Sequence, residues 1–137
     1  MKNINCIFCK IIEREIPAKI VFENDLTLAF LDISPISKGH MIIIPKNHYS
    51  TLEDIPDHEL AETFKIVKKI SMRIHQKLQT NGYNILQNNF AAAGQEINHF
   101  HVHIIPRSFN DGKFRLKTPR NQASDEELNK ILGKLKF

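Results

Sequence analysis

The side chains best suited to chemistry stand in one short run, His99-Phe100-His101-Val102-His103-Ile104-Ile105, which stops at Pro106. In a β-strand, residues i, i+2 and i+4 leave the same face, so this pattern puts three imidazoles on one surface and Phe100, Val102 and Ile104 on the core side. Imidazole titrates closest to neutrality and can act as nucleophile, proton donor, phosphate ligand or metal ligand. His101 is the centre of the ladder, with His99 and His103 each about 7 Å away along the strand. A nucleophilic histidine attacks as the neutral ring, with its other nitrogen held by a hydrogen bond that fixes the tautomer. Neighbouring imidazoles and amides can then bind charge developing on a phosphoryl group. Zinc ligation by histidines at i and i+2 is the competing chemistry. No Asp or Glu directly follows the ladder, and Glu96 and Asp111 stand at no recognised ligand spacing. Phosphoryl chemistry is therefore the expectation.

The elements that must position this run can be read from hydrophobic period. Cys6 to Arg14 reads as a short helix with Phe8, Ile11 and Ile12 on its apolar side, closed before Pro17. Ala18 to Glu23 and Thr27 to Asp32 read as a hairpin around Asn24-Asp25, and His40 to Pro45 as a third strand buried on both faces. From Pro56 to about Gln79 the period changes. Leu60, Phe64, Val67, Ile70, Ile74 and Leu78 form the stripe of a long amphipathic helix that Asn81-Gly82 should stop. Tyr83 to Asn88 and His101 to Pro106 are the fourth and fifth strands. The small residues between them, around Ala91 to Gly94, would let a ligand approach the backbone. Ser124-Asp125-Glu126-Glu127 resembles a helix cap leading into Leu128, Ile131, Leu132 and Leu135. This order argues for an α+β fold, an antiparallel sheet with helices on one side.

A chain of 137 residues, 42% hydrophobic, is long enough for one core and short for two domains. One domain over residues 1–137 is expected, with a core at about 4–107 and a basic C-terminal tail carrying a helix at about 125–136. No apolar run approaches membrane-spanning length, and the first residues lack the pattern of a secretory signal, so a cytoplasmic protein without membrane partners is expected. The net charge of +4 comes largely from Lys113, Arg115, Lys117, Arg120, Lys130, Lys134 and Lys136. No aromatic residues are interleaved as a single-strand-binding platform needs, so nucleic acid is not the expected partner; small anionic substrates suit the charge. Cys6 and Cys9 form a CxxC, which could be a redox pair, half of a zinc site, or two buried cysteines on a short helix. His58 and His75, on or near the long helix, are expected at the surface.

The ladder is similar to the His-φ-His-φ-His-φ-φ signature of the histidine triad (HIT) superfamily of nucleotide hydrolases and transferases. Cys6 to Ile12, Glu15-Ile16-Pro17-Ala18, Leu28 to Pro35, Gly39-His40 to Pro45-Lys46, and Gly94-Gln95 all resemble its Hint branch, in the bacterial form. The resemblance implies a HIT-like five-stranded antiparallel sheet with one long helix and short terminal helices. It implies that His101 attacks the α-phosphorus to give a nucleotidyl-histidine that water hydrolyses, with His103 and His40 assisting and Asn88 and Gln95 near the phosphate. Asp32 would accept hydrogen bonds from the ribose hydroxyls, and Phe8, Ile11, Ile16 and Ile33 would form an apolar slot for a purine. Cys6, Cys9, His48 and His99 match the set by which some bacterial members hold structural zinc, and no catalytic metal is implied. Glu96 stands where eukaryotic members have a serine thought to help the leaving group, which puts the phosphoramidase preference in question. The implied activity is hydrolysis of purine nucleoside phosphoramidates or adenylated compounds by a homodimer joined through the long helix and an edge strand. A dinucleoside polyphosphate hydrolase, a non-catalytic nucleotide-binding regulator and a metal-dependent hydrolase are the alternatives.

Overall fold

A computed structural model describes residues 2–114 and 118–137; the basic positions Arg115 and Lys117 lie outside the described residues. The elements in chain order are α1 (Ile7–Ile12), β1 (Ile20–Glu23), β2 (Thr27–Leu31), β3 (Met41–Pro45), α2 (Asp57–Lys77), β4 (Gly82–Leu86), β5 (Val102–Arg107) and α3 (Asp125–Leu135). The five strands form one sheet in the order β1-β2-β3-β5-β4, and every neighbouring pair is antiparallel. This is the expected α+β architecture, except that the helices do not share one side: α2 covers one face of the sheet and α1 the other, because β3 is apolar on both.

The central strand β3 is apolar on both faces because both faces are covered. Met41, Ile43, Val102 and Ile104, with Phe100, pack under Ile66, Val67, Ile70 and Ile74 of α2. On the other face Ile42 and Ile44 pack with Leu28, Phe30 and the α1 residues Phe8 and Ile11. Strand parity thus divides the ladder as expected: Phe100, Val102 and Ile104 are fully buried on the α2 side, and the histidines lie on the side of α1. The register Ile42 to His103 and Leu86 to His103 fixes the ladder at the middle of the sheet. The strand continues through Pro106 to Arg107. The Pro106 carbonyl accepts from Ser37 Oγ at 2.6 Å, on the edge that β3 no longer reaches. Its missing N–H therefore costs the sheet no bond.

The long helix departs from the expected stripe. Phe64 and Leu78 are 41% and 42% exposed, whereas Ile66, outside that stripe, is buried with Thr63, Ser71 and Glu59. The buried face is rotated because Glu59 turns inward, where its Oε1 accepts from Asn47 Nδ2 at 3.0 Å and Tyr49 OH at 2.8 Å. The helix also ends before Asn81-Gly82: Gln79 takes the left-handed conformation at φ 52°, and Gly82 is already paired with Arg107. At the entrance to β3, Gly39 has φ 89°, and a Cβ there would stand 2.4 Å from Leu78 Cδ1. The left-handed φ is what requires glycine in the turn that delivers His40; the tip of the half-exposed Leu78 side chain could give way. Among the described residues no helix is long and apolar enough to cross a membrane.

Candidate active site

His101 immediately precedes β5 and is buried against the edge of the Phe8 ring, centroids 5.2 Å apart. Its Nδ1 lies 2.6 Å from the His99 carbonyl. A carbonyl only accepts, so Nδ1 carries the proton and donates, and Nε2 keeps its lone pair. Burial holds the ring below its ordinary pKa, so it is neutral at pH 7. The ring therefore meets both requirements of a nitrogen nucleophile, neutrality and a fixed tautomer.

His103 has the opposite assignment, fixed by a chain that starts at the backbone. The Ile36 N–H donates to His40 Nδ1 at 3.1 Å, so neutral His40 carries its proton on Nε2. That proton is donated to His103 Nδ1 at 2.8 Å, which leaves the His103 proton on Nε2, the side of the ring away from His40. Asp32 Oδ2 stands 3.7 Å from His40 Nε2 and favours a positive charge there, but burial dominates and keeps His40 below its ordinary pKa. Burial, followed by repulsion from His101 and His40, pushes His103 down to about 4. The two ladder rings, with centroids 4.9 Å apart, thus offer a lone pair and an N–H donor side by side. Asp32, His40 and His103 could also be taken for three metal ligands. The proton between the two imidazoles speaks against that, because a metal would need both of those lone pairs.

His101 and His103 line a cavity of about 490 Å³ between α1, the loop after β2 and the segment before β5. All four residues expected in the apolar slot line it: Phe8 and Ile11 are core side chains showing one edge, Ile16 lies beside them, and Ile33, 90% exposed, stands at the mouth. Leu86, Ile97 and Ile105 extend the apolar wall; nothing in the sequence separated them from ordinary core positions. Asp32, Asn88 and Glu96 are also in the lining, and among the described residues no lysine or arginine is. Asp32 Oδ1 accepts from the Ser34 N–H at 2.8 Å.

Two expected phosphate neighbours lie elsewhere. Gln95 is buried and turned away: its Oε1 accepts from the Phe90 N–H at 2.8 Å, and its Nε2 donates to the carbonyls of Ser50 at 2.6 Å and Ile97 at 3.1 Å. Its amide holds the loop of Phe90 to Gly94 in shape and has little bonding capacity left for a ligand. His40, 2% exposed, stands behind His103 and reaches the cavity only through it.

The third histidine of the ladder does different work. His99 is fully buried, and its Nε2 donates to the Pro45 carbonyl at 2.9 Å, which turns the Nδ1 lone pair toward the two cysteines. Cys6 Sγ is 3.5 Å and Cys9 Sγ 3.7 Å from His99 Nδ1, and Cys9 Sγ is 3.5 Å from His48 Nδ1. A tetrahedron with zinc–sulfur legs of about 2.3 Å and zinc–nitrogen legs of about 2.0 Å has S···N edges of about 3.5 Å. The four donors, all within 4.8 Å of one another, therefore fit a closed Cys₂His₂ site. Both cysteines are free thiols, and burial pushes Cys6 up, a cost that a bound cation would reverse. His58 and His75 are at the surface, as expected.

A family model described as HIT domain matches residues 13–110. A HIT-like protein of Methanocaldococcus jannaschii is 50% identical over 129 residues, covering 93% of this chain and 99% of that one. An adenosine 5'-monophosphoramidase of Candida albicans is 40% identical over 140 residues, covering 98% and 91%. Among solved structures, a zinc-bound histidine triad family protein from Mycobacterium smegmatis superposes with a TM-score of 0.76 at 32% identity, covering 93% of this chain and 90% of that one.

Proposed function

Because this chain belongs to the HIT domain family, we propose that it is a nucleotide phosphohydrolase acting through a nucleotidyl-histidine on His101, with purine nucleoside phosphoramidates or related adenylated compounds as substrates. The observation that carries this reading is the pair of opposed tautomers, a lone pair on His101 beside an N–H donor on His103, in one cavity. His101 Nε2 attacks the α-phosphorus; the new N–P bond forms as the bond to the leaving group breaks, and the leaving amine takes a proton from water at the cavity mouth. His103 Nε2–H binds the charge developing on a non-bridging oxygen, with Asn88 nearby. The His99 carbonyl, accepting from His101 Nδ1–H, stabilises the positive ring of the intermediate. The hydroxide left by that proton transfer then attacks phosphorus, the N–P bond breaks with its electron pair returning to Nε2, and the nucleoside monophosphate leaves a neutral His101. Asp32 receives the ribose hydroxyls, and Phe8, Ile11, Ile16 and Ile33 clasp the base.

The charge of the lining supports phosphoramidates over dinucleoside polyphosphates. Asp32 and Glu96, with no lysine or arginine among the described lining residues, suit a neutral or cationic leaving group. A long polyphosphate would lack cationic partners there. Assaying adenosine 5'-monophosphoramidate beside a diadenosine polyphosphate tests the assignment; a higher kcat/KM for the polyphosphate would reverse it.

Cys6, Cys9, His48 and His99 would hold a structural zinc that pins α1 to the sheet and supplies no step of the reaction. A homodimer joined through α2 and the β4 edge is supported by exposed Phe64, Met72, Tyr83 and Ile85. The free thiols suit the reducing cytoplasm. We read residues 1–137 as one catalytic domain with α3 as an appended arm.

A further inference from the structure

α3 is a well-capped helix whose side chains are all exposed. Ser124 accepts from the Glu127 N–H while the Glu127 carboxylate accepts from the Ser124 N–H, a complete capping box. Leu128, Ile131, Leu132 and Leu135 recur at i, i+3, i+4 and i+7, one continuous stripe, and are 51–70% exposed. Every described residue from 118 onward is exposed. An isolated helix of eleven residues is marginal in water, where helices shorter than about 12–15 residues rarely persist alone. The stripe therefore calls for a surface to lie on.

The body of the molecule offers one. Between α2 and the β1–β2 hairpin runs an apolar groove of about 370 Å³. Ile70, Ile74 and Met41 form its buried floor, with Val21, Leu31 and Leu78 left 36–45% exposed along its walls. Its cationic lining residues are Lys38, Arg73 and Lys77. The first turn of α3 is acidic, Asp125, Glu126 and Glu127; at 100° per residue Asp125 and Glu127 flank the stripe, whereas Glu126 and Lys130 fall on the side opposite it. Apolar stripe and acidic start thus match apolar floor and basic rim.

We propose that α3 of one protomer seats in this groove of a second copy, and that the exchange is reciprocal. In a single chain both helix stripe and groove walls stay exposed; a twofold exchange covers both in both copies, doubles the buried area and closes without leaving a free surface. This interface uses the side of α2 that faces the β1–β2 hairpin and leaves the β4 edge free, and it does not depend on the catalytic assignment.

The test uses full-length chains. One population carries Leu132→Cys and the other Val21→Cys, both conservative exposed sites; wild-type protein, whose two cysteines are buried, is the background. After mixing and mild oxidation, a disulfide-linked heterodimer is expected. Its yield should fall at least tenfold when the Val21→Cys chain also carries Lys38→Glu, Arg73→Glu and Lys77→Glu. It should recover when the Leu132→Cys chain carries Asp125→Lys; if the triple variant does not fold, as judged by circular dichroism, Lys77→Glu alone is used. A chain bearing both cysteines that closes its disulfide internally, at a yield independent of protein concentration, would show α3 folding onto its own groove and overturn the proposal. Absence of any cross-link would overturn it as well.

Discussion

Replacing His40 with leucine removes a side chain that is 2% exposed and reaches the cavity only through His103, and it should nevertheless cost most of the catalysis. His40 is held by the Ile36 N–H at 3.1 Å and donates to His103 Nδ1 at 2.8 Å. That second bond is what keeps the His103 proton on Nε2. Without it, His103 is free to carry its proton on Nδ1, and its Nε2 lone pair then faces the developing phosphoryl charge. The loss is that of one preorganised donor, about 10²–10³ in kcat or roughly 3–4 kcal/mol. KM should change little, because the base slot and Asp32 are untouched. Stability should also fall by about 1–3 kcal/mol, since the Ile36 N–H and His103 Nδ1 lose their partner. His40→Gln, whose amide oxygen and nitrogen can partly serve the same two neighbours, should recover a good part of kcat. Steady-state kinetics on adenosine 5'-monophosphoramidate gives kcat and KM, and nitrogen NMR of His103 reports its tautomer. A folded His40→Leu enzyme with kcat within threefold of wild type, or with the His103 tautomer unchanged, would refute the relay.

Asp32→Ala should weaken ribonucleotides by about 1.5–3 kcal/mol per lost charge-assisted hydrogen bond while leaving 2′,3′-dideoxy analogues nearly unaffected; equal losses in a binding titration would place Asp32 elsewhere. Purified protein should carry about one zinc per chain, and chelation or Cys9→Ser should lower Tm more than kcat; metal analysis with thermal melts decides, and a lost kcat without a shifted Tm would point to a catalytic metal instead. The unfolded chain takes up a proton at each histidine near pH 6.5, whereas His103 in the fold resists until about pH 4. Between those values the unfolded state binds more protons, so His103 makes stability fall as pH falls through that window. Denaturant melts from pH 7 to 4 measure this, and kcat should persist to lower pH than a free imidazole would allow, because burial holds His101 below its ordinary pKa and His103 down to about 4.

Strand parity made the ladder legible: alternation alone divided Phe100, Val102 and Ile104 from the histidines, and the apolar run of β3 announced a strand covered on both sides. The capping box of α3 was readable because its bonds are local. The work of the ladder histidines was less visible, because it depends on backbone groups brought in from far along the chain. The Pro45 carbonyl turns His99 toward the cysteines, and the Ile36 N–H sets a tautomer two rings away. The resemblance put Gln95 near the phosphate, and only the fold shows its bonds already taken by Phe90, Ser50 and Ile97. On α2, apolar spacing chose Phe64 over Ile66, because it had no way to count the buried Glu59 and its partners Asn47 and Tyr49.

The covalent intermediate on His101 is the most direct point of attack. Protein mixed with excess adenosine 5'-monophosphoramidate and quenched within one turnover should show the mass of one added adenylyl group, fragmentation should place it on His101, and folded His101→Gly should lack both the adduct and turnover. Near-normal turnover by folded His101→Gly, or an adduct carried by any other residue, would contradict the mechanism.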